Sequence, residues 1–160
     1  MRHGLWLVLF AGTACSSSES GDTGFGPASF TINDQEFASS AVLDVEKASQ
    51  VEWVVSFYTL DNNSCGCIID GPIAWVSLTG PADAKIAPGA YAIASTGAQI
   101  VASVSYQFPG DANVLMTSGT VQVTESTASL LVGTFSADGT DSGSGAVHVA
   151  GAFHAGACPP

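Results

Sequence analysis

Basic residues are almost absent from this 160-residue chain, which has three Lys and Arg against fourteen Asp and Glu and a formal net charge of −11. A nucleic-acid partner is excluded on that ground, because binding a phosphate backbone requires a positive footprint that releases counterions. Anionic lipid headgroups are disfavoured for the same reason. Charge of either sign is scarce, at 11% of residues, while apolar residues reach 46%. Neither a disordered chain nor a helical bundle has that composition. Long apolar runs are missing too, since no segment approaches the ~18 to 20 residues needed to cross a bilayer as a helix.

The longest apolar stretch lies at the start. Arg2 and His3 precede Leu5 to Phe10, and Gly12-Thr13-Ala14 then supply small residues ahead of Cys15. A short basic region, a short apolar core and small residues form a secretory leader. With Cys15 next, the junction resembles the lipobox of bacterial lipoproteins, although Gly12 stands where that family usually has Leu. The resemblance implies cleavage after Ala14, a lipid on Cys15 and a membrane anchor. Ser16 at the following position implies sorting to the outer membrane. Ordinary cleavage and release as a secreted or periplasmic protein is the alternative, since Gly-Thr-Ala also suits a general signal peptidase.

Three segments follow from this: a signal peptide over 1–14, a flexible tether over 15–27 and one domain over 28–160. The tether is Gly/Ser-rich and polar, as flexible linkers are. The mature chain keeps Lys47 and Lys85 against all fourteen acids, a net charge of −12. Such a surface resists association, so solubility explains it without a cationic partner.

Period-two alternation fills the domain, which is the pattern of half-buried strands. Phe30-Thr31-Ile32, Asn33-Asp34 and Gln35-Glu36-Phe37 predict a two-residue hairpin with Phe30 opposite Phe37. Val51, Trp53, Val55 and Phe57 share one face, and similar runs recur to Phe153, separated by Gly-Pro and Pro-Gly turns. The prediction is all-β: a single antiparallel β-sandwich or barrel of about eight to ten strands. Ser40 to Gln50 is expected to hold a helical turn.

With Cys15 lipidated, Cys65, Cys67 and Cys158 remain as disulfide candidates in an oxidising compartment. Cys65 and Cys67 sit two residues apart, where a bridge needs a kink at Gly66. A bridge from either to Cys158 closes a loop of ~90 residues, worth on the order of 4 kcal/mol in the chain-entropy model. A redox or soft-metal site at Cys65-Gly66-Cys67 is the less favoured reading, because no further ligand stands nearby in sequence.

No catalytic residue, metal ligand or cofactor is assigned. Asp22-Thr23-Gly24 and Asp141-Ser142-Gly143 match the Asp-Thr/Ser-Gly triplet of aspartic proteases, but the first falls in the tether and neither follows an apolar strand. His148 and His154 fall on one strand face about 20 Å apart by strand rise, too far to share a metal. Functionally the chain reads as a non-enzymatic surface or periplasmic interaction module, with its protein or glycan partner unspecified. A barrel that binds a small molecule or sugar is the alternative, to be recognised by a void of several hundred Å³.

Overall fold

The structure, a computed structural model, describes residues 26–47, 50–58, 72–143 and 145–157. These form ten strands: β1 (Gly26–Ile32), β2 (Gln35–Lys47), β3 (Gln50–Tyr58), β4 (Ile73–Pro81), β5 (Gly89–Ala92), β6 (Val101–Gln107), β7 (Val114–Leu115), β8 (Ser118–Ser126), β9 (Leu130–Thr140) and β10 (Ala146–Ala157). All belong to one curled sheet in the order β5-β8-β9-β10-β1-β2-β3-β4-β6-β7. The fold is therefore all-β, as its alternation requires.

The hairpin of β1 and β2 sets the register from its turn. Asn33 and Asp34 both have positive φ, 48° and 65°, the left-handed backbone of a two-residue primed turn. Phe30 then pairs with Phe37, and their rings stack at 5.2 Å. Asn33 also ties the turn to β10: its N–H donates to the His148 carbonyl at 2.8 Å, and its Oδ1 accepts the His148 N–H at 2.9 Å.

The expected helical turn in 40–50 is instead the upper half of β2, paired residue by residue with β3 from Ser40–Tyr58 to Lys47–Val51. Ala41, Leu43 and Val45 face inward, and Val42 faces outward opposite Ser56. Because Val42 is buried as well, three consecutive apolar residues conceal the period of two.

The sheet curls until its two ends meet. Beyond β5, the Ile93 N–H donates to Gly119 of β8 and the Ala94 N–H to Ala102 of β6. Beyond β7, the Met116 N–H reaches Val104 of β6 and the Thr117 N–H reaches Asp138 of β9. Edge strands that would otherwise present unpaired backbone are joined across the seam.

Inside, Phe57 is fully buried and its ring meets Phe30, Phe135 and Phe153 at 5.9, 5.4 and 6.0 Å in edge-to-face geometry. Burying such a ring is worth ~1.5 to 3 kcal/mol, and each aromatic pair adds ~0.5 to 1.5 kcal/mol. Rings thus fill the middle of the curled sheet. A cleft opens at one of its ends.

A candidate binding cleft at the end of the sheet

That end is built by the termini of β2 and β3, the segment after β4 and the β8–β9 turn. Between them lies a cleft of about 480 Å³ lined by Val45, Val51, Trp53, Ala82, Asp83, Ala84, Lys85, Ile86, Ser126, Thr127 and Ala128. The volume lies within the ~300 to 1,000 Å³ typical of small-molecule sites, which recur at the mouths of β-barrels.

Strand parity sets the floor. Val51 and Trp53 are on the inward face of β3 with Val55 and Phe57, and Val45 is on that of β2. Trp53 packs against the core yet stays only partly buried, because the cleft begins where it sits.

The 82–88 segment forms the second wall and is tied down at three points. The Ala84 N–H donates to the Pro81 carbonyl at 2.9 Å, closing a turn. Ile86 is only 7% exposed and anchors in the core. The Tyr91 hydroxyl donates to the Ala87 carbonyl at 2.7 Å and accepts the Ala87 N–H at 3.1 Å. Asp83 and Lys85 stand exposed on this fixed segment and border the cleft.

A bulge in β8 completes the third wall. Register shifts between Val123 and Glu125, so that Glu125 pairs with Val132 and Ser126 with Leu131. Strict alternation after Val121 and Val123 would have sent Glu125 inward, where an unpaired carboxylate is costly. The extra residue, Thr124, turns Glu125 outward and Ser126 toward the cleft. Thr124 Oγ1 donates to the Val132 carbonyl at 3.2 Å.

Elsewhere the polar groups are used locally. His148 Nδ1 lies 2.8 Å from Asp138 Oδ1 across the β9–β10 ladder, both side chains substantially exposed. Asp138 to Thr140 form the end of β9. Asp141 Oδ1 accepts the Gly143 and Gly145 N–H groups at 2.9 and 2.8 Å, so its carboxylate holds its own turn. His154 pairs with Val132, six residues of strand away from His148. Trp75 and Tyr58 face outward on β4 and β3, opposite in direction to Trp53, so the three do not assemble into a stacking platform. Burial pushes the Tyr106 hydroxyl above its ordinary pKa, and the charges of Asp141 and Asp111 push it further.

Among the described residues no three His, Cys, Asp or Glu side chains gather as a metal site. Cys15, Cys65, Cys67 and Cys158 lie outside the described residues, as do the leader and Asp22-Thr23-Gly24. No family model, curated protein or solved structure matches the chain.

Proposed function

We propose that this chain is an exported, acidic, non-enzymatic binding module, held at the outer membrane by a lipid on Cys15 and engaging its ligand through the cleft. The observation that carries the reading is the cleft itself: an apolar floor on strands, rimmed by a few polar side chains, at one end of a sheet whose middle is filled by Phe30, Phe57, Phe135 and Phe153. Pre-formed sites of this size and lining are the common form of small-molecule recognition. The leader and the Ser/Gly tether support export and display.

Fractionation of cells producing the full chain tests the anchor. The wild type is expected in the detergent-soluble membrane fraction and a Cys15→Ser form outside it. Equal recovery of both forms in the aqueous fraction overturns the anchoring.

A further inference from the structure

We propose that the cleft binds a small amphiphilic carboxylate, with its apolar body against Trp53, Val51 and Ile86 and its carboxylate at Lys85. The inference rests on the reading of the cleft as the recognition site and names the class of ligand.

Two independent features point to this chemistry. The floor is hydrocarbon and indole, so a ligand gains by removing apolar surface from water there, at ~25 cal/mol per Å². An alkyl or aryl body suits that floor; a sugar needs several hydrogen-bonding groups along its length, and the side chains of Val45, Val51 and Ile86 supply none.

Charge placement is the second feature. The mature chain has two lysines, and one of them, Lys85, borders the cleft. Against a net charge of −12, the rest of the surface repels anions. Lys85 forms no ion pair with any described carboxylate, the pair among described side chains being His148–Asp138. Its ammonium is available to a ligand anion, for which a charge-assisted hydrogen bond is the strong form of contact. Asp83 borders the same cleft two residues away and repels an anion, which places the ligand's head on the Lys85 side.

The test uses the mature chain, residues 15–160, produced without its leader and carrying Trp75→Phe, so that Trp53 is its sole indole; circular dichroism checks folding of each variant. Decanoate, decanol and maltose are titrated while Trp53 emission is recorded. The proposal expects a saturable response to decanoate below its micellar range, weakened about tenfold or more by Lys85→Gln and retained or tightened by Asp83→Asn. Filling the rim with Ala128→Phe is expected to abolish it without altering charge or adding a second indole. Decanol binding as tightly as decanoate, or maltose binding in its place, overturns the carboxylate assignment and leaves the cleft as the recognition site. Absence of a response to all three overturns both.

Discussion

Phe135 stands directly across from Gly151 in the β9–β10 ladder, and its ring occupies the space a side chain at Gly151 would need. A Cβ built on Gly151 would lie 2.7 Å from Phe135 Cε1 and 2.5 Å from the Ser29 carbonyl oxygen. Two rungs away the relationship is reversed, with Phe153 paired to Gly133 and a Cβ there 2.8 Å from Phe153 Cζ. The echo Gly-Thr-Phe-Ser-Ala over 133–137 and Gly-Ala-Phe-His-Ala over 151–155 is thus a reciprocal pair of aromatic covers over glycines. Rings of this kind shield a strand glycine while letting the sheet curl.

Gly151→Ala is therefore expected to destabilise the domain by about 1 to 3 kcal/mol, the usual cost of overpacking. Urea unfolding measures it. In a Phe135→Leu background only the ring's share of the Gly151→Ala penalty should be relieved, because the Ser29 carbonyl oxygen at 2.5 Å still crowds the methyl.

Phe57 touches three rings at the centre of the sheet. Truncation to Ala should cost about 3 to 5 kcal/mol by leaving a cavity. The same assay should show Phe37→Ala costing less, since Phe37 is only partly buried.

How much of this was legible in the residues differs from strand to strand. The Phe30–Phe37 register followed from Asn33-Asp34 because few residues tolerate a left-handed backbone. The upper half of β2 was not legible, since Val42 is apolar on the outward face and hides the alternation. Nor was the bulge at Thr124, whose reason is the avoided burial of Glu125 among residues supplied by another strand. The cleft joins segments near positions 45–53, 82–86 and 126–128, and only Trp53 on an inward strand face hinted at it. Lys85 offered a second signal, as one of the two lysines in the sequence.

In the β1–β2 turn, Asp34→Gly should stabilise the hairpin by up to about 1 kcal/mol, because glycine adopts positive φ without strain. Asn33→Ala should destabilise by about 1 to 2 kcal/mol, losing both the backbone preference and the bond to the His148 N–H. Thermal unfolding of the two variants checks the opposite signs.

Alkaline pH should weaken the fold through Tyr106. Its pKa is raised in the folded state by burial, then by Asp141 and Asp111. The folded chain thus holds the phenol proton more tightly than the unfolded chain. The associated stability is fully present below the unfolded value near 10 and is lost as pH rises through the folded one. Tyr106→Phe should flatten the decline of stability above pH 10, measured by urea midpoints across pH.

The central claim, a binding domain displayed on a lipid, is tested most directly by the intact mass of the native protein extracted from membranes. The expected species begins at Cys15, carries two or three acyl chains, and retains one free thiol among Cys65, Cys67 and Cys158. An unacylated chain with no free thiol would contradict it.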